Sequence, residues 1–352
     1  MNTLIIPCAG KSTRFPNMRP KFLLTHPDGK LMIQKAIESM DLSLFDRVVI
    51  VLVQPHCQSY NADKILHQAL GGNKKIELCI LDDFTGSASE TIYKSIIKSK
   101  ITGSITIKDS DNYVEYPNSG TSENSVVGLR VTHDMNIDNI QSKSFIRVNE
   151  NNIITDIIEK KIVSDIICLG VYSFKKATSF LVAYEALSSD NTNGELYISH
   201  IVSYLLKNQK EFFKLRECTC YKDWGTLSEW KKEMHRNATY FIDFDGVLIK
   251  NSGIYGDLNW NNNKEMLTEN CRAIKQAQEH GAQIVITTSR PEQYRKQVLS
   301  LLESVDIKPF AVIMGLNHAP RIIINDFAPS NPFPSATAIS LPRDSSLTPY
   351  LS

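Results

Sequence analysis

Short apolar segments alternate with amphipathic helical patterns along this chain, and this alternation limits the possible folds more than any other feature. It begins with a strand-like segment at 4–7 (LIIP), a helical pattern at 31–40 and a second strand-like run at 48–53 (VVIVLV). Strands that are joined by helices run parallel, because the helix carries the chain back across the sheet. The pattern therefore predicts an α/β fold with helices on both faces of its sheet.

The alternation changes near residue 125. The earlier elements are predicted at 62–70 (helix), 76–81 (strand), 87–99 (helix) and 104–109 (strand). The later segments are the strand-like runs SVVGLRV, SFIRVNE, IITDIIEK and DIICLGVYSF, followed by helical patterns at 176–188 and 196–207. Consecutive strands without intervening helices pair antiparallel, so we expect a Rossmann-like fold with a mixed sheet in the N-terminal part.

A second cycle of strands and helices follows the polar stretch KKEMHRNAT at 231–239, which is typical of an exposed connection between domains. The predicted elements of this cycle are the strand in YFIDFDGVLI, a helix ending at Gly281, the strand QIVITT, the helix PEQYRKQVLSLLES, and the strands FAVIMG and RIIIND. We therefore expect two domains, residues 1–232 and residues 238–352. The second is predicted to be a small Rossmann-like unit without a large cap.

The charges of the chain are balanced, since 39 Lys and Arg residues face 38 Asp and Glu residues and the formal net charge is +1. Such a chain has no overall field that would attract nucleic acid or an anionic membrane, so an anionic ligand needs a local site. The N-terminus lacks a signal-peptide pattern, and no stretch is long enough to span a bilayer. We expect a cytoplasmic protein without a nucleic-acid partner or membrane insertion; homo-oligomerisation stays open.

A loop of small and basic residues at 9–24 (AGKSTRFPNMRPKFLL) follows the first predicted strand. Its backbone amides, together with Arg14 and Lys21, suit the binding of a polyphosphate. The letters GKST suggest a P-loop, but Ile5 stands where that motif needs glycine, and Pro16 breaks the helix that should follow. A polar surface loop with incidental cations is the alternative interpretation.

Carboxylates follow strands elsewhere in the N-terminal part. Asp109 and Asp111 end a predicted strand on the same side of an extended chain, where a divalent cation bound to a triphosphate would find its ligands. Asp223 precedes a tight turn at Gly225, and the pair Glu159 and Lys160 ends another apolar strand, which adds further charged groups to the set.

These segments together resemble the sugar-phosphate nucleotidylyltransferase family. The motifs that carry the resemblance follow the family's order: AGKSTRF, Pro-Lys at 20–21, DSDN at 109–112, Glu-Lys at 159–160, GVYSF at 170–174 and DWGT at 223–226. They extend over nearly all of residues 1–230, although the loop lacks the family's second glycine. The resemblance implies transfer of a nucleotidyl group from an NTP to a sugar or polyol phosphate, with Mg²⁺ as cofactor and pyrophosphate as product. CTP is favoured over UTP, dTTP and GTP.

The resemblance also implies roles for individual residues. Asp111 and Asp223 would hold Mg²⁺, and Arg14 and Lys21 would hold the triphosphate and the incoming phosphate during catalysis. The implied nucleotide-binding residues are Ala9, Gly10, Lys11, Ser12, Thr13, Gly86 and Ser87. The implied acceptor-binding residues are Glu159, Lys160, Gly170 and Glu195, of which Glu195 is equally well interpreted as part of a helix start. No general base is required, because the attacking phosphate is already ionised.

A second candidate site follows the predicted strand in FIDFDGVLI, where Asp243 and Asp245 stand at the strand tip. One carboxylate can attack phosphorus while the other donates and then accepts a proton. Thr288 and Ser289 end the next strand with hydroxyl groups that suit a phosphate, and Asp326 ends the predicted strand RIIIND.

This ordered set resembles the haloacid dehalogenase superfamily, over about residues 238–345. The resemblance implies that Asp243 is the nucleophile, Asp245 the acid and base, and Thr288 a phosphate ligand. The implied Mg²⁺ ligands are Asp243, Asp245 and Asp326, and the implied substrate-binding residues are Thr288, Ser289 and Arg321.

One position departs from the superfamily's pattern, since Leu316 stands near the place of its usual lysine. Arg321 or Lys308 is expected to supply the positive charge instead. Tyr255 and Trp260, in the loop after the two aspartates, could contact a substrate or simply anchor the loop.

The sequence thus predicts a bifunctional enzyme that makes an activated sugar for a surface or capsule polysaccharide, with a C-terminal phosphatase acting on a related intermediate. The alternative is a nucleotidylyltransferase whose C-terminal domain is a non-catalytic binding or dimerisation module, which Leu316 favours. A third interpretation, in which the first domain only senses nucleotide, is disfavoured because sensing does not require both Asp111 and Asp223.

Overall fold

The computed structural model describes residues 1–117, 123–133, 135, 137, 139–190, 194–254, 256–326, 328 and 335–351. The chain divides into two compact units, Met1–Trp230 and Lys231–Ser352. Within the described ranges, no helix is both long enough and apolar enough to cross a membrane.

The first unit begins with parallel strands that alternate with helices. Its first elements are β1 (Asn2–Pro7), α1 (Met32–Glu38), β2 (Arg47–Val53), α2 (Gln54–Tyr60), α3 (Ala62–Leu70), β3 (Ile76–Leu81), α4 (Ala88–Lys98) and β4 (Ser104–Lys108). Strand β1 lies between β2 and β4, and β3 lies beyond β2, all in parallel. The apolar residues 48–53 of β2 are completely buried, as expected for a parallel strand that is covered on both faces.

The rest of the first unit adds antiparallel strands to this sheet. Its elements are β5 (Asn112–Glu115), β6 (Ser125–Arg130), β7 (Ser144–Val148), β8 (Ile154–Glu159), β9 (Ile166–Phe174), α5 (Ala177–Asp190), α6 (Ile198–Asn208), β10 (Lys214–Glu217), β11 (Cys220–Asp223) and the beginning of α7 (Leu227–Arg236), whose later residues belong to the second unit. Strands β5 and β11 pair with each other in a separate two-stranded sheet. Strand β9 runs antiparallel to both β4 and β6, and the order across the sheet is β10-β6-β9-β4-β1-β2-β3. The predicted mixed sheet is confirmed.

Helix α7 extends into the segment at 231–239 that the sequence predicts to be an exposed connection between domains, so the first part of this segment is helical. The helix starts with a reciprocal capping arrangement: the Thr226 amide donates to the Glu229 carboxylate at 2.9 Å, and the Glu229 amide donates to the Thr226 hydroxyl at 3.3 Å. Thr-x-x-Glu is a known sequence signal for a helix start. The charged residues that follow are therefore helical as far as Arg236.

The second unit contains a small parallel sheet. Its elements are β12 (Thr239–Asp243), α8 (Asp257–Asn262), α9 (Thr268–Glu279), β13 (Gln283–Thr287), α10 (Arg295–Ser304) and β14 (Ala311–Ile313), with the strand order β12-β13-β14. The α/β fold predicted for this part is confirmed. The predicted strand RIIIND is wrong: residues 321–326 form no strand, and Ile322 and Ile324 are 82% and 93% exposed. Without a strand partner, these apolar side chains stay in water.

Candidate active sites

The pairing of β5 with β11 brings together two aspartates that are far apart in the sequence. The register places Asp223, the last residue of β11, opposite Asn112. The amide of Trp224 donates to the carbonyl oxygen of Asp111 at 2.9 Å. The turn after β11 therefore lies directly against the loop that carries Asp111.

Gly225 marks the point where the two carboxylates converge. A Cβ atom at this position would lie 3.1 Å from Asp223 Oδ1, 3.3 Å from Asp111 Oδ2 and 3.8 Å from Arg14 Nη1. The missing side chain thus leaves a small space that is bordered by two acidic groups and a guanidinium group. The structure brings Asp111, Asp223 and Arg14 together.

Each of these aspartates also contacts a lysine. Lys21 Nζ donates to Asp111 Oδ2, and Lys143 Nζ donates to Asp223 Oδ2. Burial works against the ionised form of Asp111, but the charge and hydrogen bond of Lys21, together with the charges of Arg14 and Lys143, outweigh it and hold the pKa of this carboxyl well below its usual range. Asp223 accepts further hydrogen bonds from the Tyr221 hydroxyl at 2.8 Å and from the Gly225 amide at 2.9 Å. Both carboxylates are therefore held in place by the groups around them.

Asp109 has a different environment from Asp111. Burial, reinforced by the charge of Asp111, raises the pKa of Asp109 to about 7. Gly170 packs directly against it: with a φ of +71°, a Cβ atom there would lie only 2.0 Å from Asp109 Oδ2. Below this loop the buried Lys108 donates to the carbonyl oxygens of Asp109 and Asn112, at 2.8 and 2.9 Å. The absence of a side chain at Gly170 thus leaves space for the carboxylate of Asp109. The acceptor-binding role expected of Gly170 stays a prediction.

The Glu-Lys pair that ends β8 lies beside the start of α6. Glu159 accepts hydrogen bonds from the hydroxyls of Ser199, at 2.6 Å, and Ser144. Lys160 Nζ contacts the Tyr197 hydroxyl and lies 4.4 Å from the centre of that ring. The same hydroxyl donates to Glu195 at 2.6 Å. The structure therefore brings the expected acceptor residues Glu159, Lys160 and Glu195 into one cluster.

The loop after β1 carries the residues expected to bind nucleotide. Ala9 is buried, whereas Gly10, Lys11 and Thr13 are accessible to solvent, and Ser12 adopts a left-handed conformation with φ of 52°. The Ser12 hydroxyl accepts a hydrogen bond from the Lys21 amide at 3.3 Å, which ties the two ends of the loop together. Lys11 Nζ lies 5.8 Å from the centre of the Phe84 ring.

Gly86 and Ser87 take part in capping the N-terminus of α4 in this structure. The Ser87 hydroxyl accepts from the Glu90 amide at 3.1 Å, and the Gly86 amide donates to the Glu90 carboxylate at 2.7 Å. This is the arrangement of a helix cap. The expected contact with nucleotide would have to compete with Glu90 for the Gly86 amide.

The first unit fits the magnesium ion that the resemblance implies. Carboxylate oxygens are the ligands that Mg²⁺ prefers, and the gap beside Gly225 has an oxygen of Asp111 and one of Asp223 on its border. These two residues would hold the ion. When bound, it would neutralise charge on the transferred phosphate.

In the second unit the two aspartates after β12 face different partners. Asp245 accepts hydrogen bonds from the guanidinium of Arg290, of which the two shortest come from Nη2 at 2.8 Å and from Nε at 3.0 Å, and Arg290 itself is completely buried. Asp243 lacks such a partner among the hydrogen bonds of the described residues. Partial desolvation, reinforced by the charge of Asp245, raises the pKa of Asp243, while Arg321 and Arg343 oppose this effect.

The remaining expected residues of the second site are only partly brought together. The Thr288 hydroxyl donates to Asp245 Oδ2 at 3.2 Å, and the Ser289 hydroxyl accepts from Arg321 at 3.2 Å. Arg321 lies close enough to Asp243 to oppose the rise of its pKa, whereas the backbone of Lys308 is bonded to the side chain of Gln278 on α9.

Asp326 follows the segment that remains outside the sheet. No cluster of three or more His, Cys, Asp or Glu side chains suited to a metal ion occurs in the part of the chain that the structure describes. The second unit therefore does not fit the expected three-aspartate magnesium site. Tyr255 lies outside the described residues, and Trp260 packs edge-on against Tyr294 at 5.4 Å.

Four residues of these sites were missed by the sequence analysis. Lys143 precedes β7, whose register pairs Ser144 with Glu159, so a lysine at the open end of that hairpin was a usable signal. The contact of Arg290 with Asp245 joins residues 45 positions apart and depends on tertiary structure. Tyr197 and Arg343 carry no pattern that distinguishes them from other surface residues.

Known structures share the fold of the N-terminal part of the chain. A nucleoside-diphosphate-sugar pyrophosphorylase from Vibrio cholerae RC9 is 20% identical, with a TM-score of 0.55 over 65% of this chain and 98% of that chain. An inositol-1-phosphate CTP transferase from T. maritima is 12% identical, with a TM-score of 0.50 over 65% and 91%. A UDP-glucose pyrophosphorylase, solved with UDP-glucose, is 16% identical, with a TM-score of 0.51 over 66% and 97%.

The C-terminal part of the chain matches a known protein family by sequence. Residues 240–317 fit the family of haloacid dehalogenase-like hydrolases, whereas no curated protein sequence matches the chain. Both resemblances expected from the motifs are confirmed. The chain therefore combines the fold of the sugar-nucleotide pyrophosphorylases, in its N-terminal part, with a haloacid dehalogenase-like segment at residues 240–317.

Proposed function

We propose that the first unit transfers a nucleotidyl group from an NTP, with CTP as the first candidate, to a sugar or polyol phosphate. The observation that carries this proposal is the convergence of Asp111 and Asp223 at Gly225, with Arg14 and Lys21 beside them. The solved structures with this fold include enzymes named as nucleoside-diphosphate-sugar pyrophosphorylase and inositol-1-phosphate CTP transferase, which supports both the reaction class and the two kinds of acceptor.

In the proposed reaction an oxygen of the acceptor phosphate attacks the α-phosphorus of the nucleotide, and pyrophosphate leaves from the opposite side. Arg14 and Lys21 hold the triphosphate, and Lys160 holds the acceptor phosphate. These cations reduce the repulsion between the two anionic substrates and stabilise the charge that develops on the leaving group. The chain supplies no general base because the attacking oxygen carries no proton.

The direct test is a screen of four nucleotides (CTP, UTP, dTTP and GTP) against a panel of sugar and polyol phosphates, with pyrophosphate as the readout. Asp223→Asn is expected to abolish pyrophosphate release. Asp165→Asn is the matched control, because Asp165 is an aspartate of the same unit that is 63% exposed. Absence of pyrophosphate from every pair, with folded protein and Mg²⁺ present, would refute the proposal.

For the second unit we propose hydrolysis of a phosphate ester on a related intermediate, with Asp243 as nucleophile and Arg321 as the cation that binds the phosphate. A joined transferase and phosphatase would catalyse successive steps in the synthesis of an activated sugar for a surface polysaccharide, in the cytoplasm. The position of Asp243 at the end of β12 supports this role, because Ser289 follows the neighbouring strand β13 and accepts a hydrogen bond from Arg321.

A non-catalytic module is the second candidate for this unit, and one contact favours it. Arg290 binds the carboxylate of Asp245, the group that would have to donate a proton to the leaving oxygen. Asp243→Asn separates the candidates: loss of phosphate release with unchanged nucleotidyl transfer indicates a phosphatase. No phosphate release from the unaltered protein with any sugar bisphosphate or nucleotide-linked phosphate indicates a module.

A further inference from the structure

Lys143 connects two parts of the first unit's site. Its Nζ donates to Asp223 Oδ2 and lies 3.1 Å from the Tyr221 hydroxyl. Its carbonyl oxygen accepts a hydrogen bond from the Lys160 amide at 3.1 Å. One residue thus contacts the carboxylate expected to bind metal and the backbone of the lysine expected to bind the acceptor.

The environment of Lys143 keeps its charge directed at Asp223. Its side chain is 19% exposed, and the Tyr221 ring lies 5.8 Å from the ammonium group. Its salt bridge with Asp223 fixes the ammonium group in this partly buried position. Asp111 and Glu229 also place negative charge near this ammonium group.

Lys21 makes the corresponding contact with Asp111, so an ammonium group of the chain itself neutralises each carboxylate of the pair. A free divalent cation that approaches Asp223 meets a positive charge already in contact with one of the oxygens it would bind. Like charges at such short range repel strongly in a partly buried site. A nucleotide changes this balance because its phosphates offer the lysines another anion.

We propose that Lys143 is a positioning residue of the transfer site that holds Asp223 and keeps a free divalent cation off it, so that the cation binds there only together with nucleotide. The inference rests on the proposed function of the first unit, because it assigns the Asp111–Asp223 pair to the metal. It goes beyond that function in making metal binding conditional on the nucleotide, through a residue outside the motifs of the family resemblance.

The test measures binding of Mn²⁺ alone to the full chain by electron paramagnetic resonance, without nucleotide and then with CTP, UTP, dTTP or GTP. Lys143→Met is expected to bind free Mn²⁺ at least about tenfold more tightly than the unaltered protein. Lys143→Arg keeps the charge and is expected to bind as weakly as the unaltered protein. Lys161→Met, an exposed lysine near the same hairpin, is the matched control and is expected to cause no change.

Adding the substitution Asp223→Asn to Lys143→Met should remove the increase in Mn²⁺ affinity, which would show that the ion binds at Asp223. Lys143→Met is expected to fold, because Asp223 keeps its hydrogen bonds from Tyr221 and Gly225; Lys143→Gln, which retains a donor without charge, should behave in the same way. The inference is overturned if both neutral variants bind free Mn²⁺ no more tightly than the unaltered protein does. It is also overturned if the unaltered protein binds Mn²⁺ as tightly without nucleotide as with it. Because this measurement needs no turnover, it can succeed or fail independently of the pyrophosphate screen.

Discussion

Gly225 offers the sharpest test of the two-aspartate site, through the substitution Gly225→Ala. The added methyl group would lie 3.1 Å from Asp223 Oδ1 and 3.3 Å from Asp111 Oδ2. Both distances are shorter than an ordinary contact between carbon and oxygen, so each carboxylate must move by a few tenths of an ångström. The methyl group also occupies the space between the acidic groups.

The cost to folding should be small. Gly225 does not adopt a left-handed conformation, so alanine fits its backbone, and the loss of freedom in the unfolded chain stabilises the protein by about 0.4–1 kcal/mol. The crowding of two side chains offsets this gain. We expect the free energy of unfolding to change by less than about 1 kcal/mol.

The effect on nucleotidyl transfer should be far larger. A displacement of catalytic groups on this scale, combined with a blocked metal position, is expected to lower kcat/KM by about 100-fold, which corresponds to about 2.7 kcal/mol of transition-state stabilisation. Pyrophosphate release and thermal unfolding would be measured on the same preparations.

Gly72→Ala is the matched control, since a Cβ atom there meets nothing within 4 Å and the residue lies outside both sites. It should leave activity unchanged and raise the free energy of unfolding by no more than about 1 kcal/mol. If Gly225→Ala folds normally and keeps its activity within about twofold of the unaltered protein, Asp111 and Asp223 do not act around this point, and the proposed site is wrong.

Three further predictions concern single side chains. Arg290→Met should lower the stability of the second unit by about 2–4 kcal/mol in urea unfolding, because it leaves the partly buried Asp245 without its cation; an unchanged transition would show that the pair contributes little. Asp109 has a pKa of about 7 when folded, so the folded state keeps a proton that the unfolded state releases, and stability should fall as the pH rises from about 4 towards 7. Asp109→Asn should remove this decline when unfolding is compared at pH 5 and pH 7.5, and a parallel decline in both proteins would contradict the assignment. Lys160→Met should raise the KM for the acceptor phosphate by about tenfold or more with little change in the KM for nucleotide, and an equal rise in both would argue against an acceptor role.

Much of the fold could be predicted from the sequence because its signals are local. The buried run in β2 and the strand–helix alternation set a parallel sheet, and the strands after residue 125 set its antiparallel part. The helix at Leu227–Arg236 was missed because its charged composition was weighed above the Thr-x-x-Glu capping signal at its start. The segment at 321–326 was predicted as a strand from its isoleucines alone, although a strand also needs a partner with free hydrogen-bonding groups.

The candidate sites could likewise be predicted only in part. Asp111 and Asp223 could be selected from their motifs, since each follows or ends a strand, but their convergence depends on the pairing of β5 with β11, which no local pattern specifies. Lys143 and Arg290 act through contacts with residues 80 and 45 positions away. Such long-range partners become visible only when the tertiary structure is known.

The central claim is that Asp111 and Asp223 hold one divalent ion between them. Diffraction from crystals grown with Mn²⁺ and a non-hydrolysable CTP analogue, or another nucleotide that the screen selects, would locate the ion from its anomalous signal. We predict one peak at about 2.1 Å from an oxygen of each aspartate. A peak that contacts only one of them, or that lies away from Gly225, would contradict the claim.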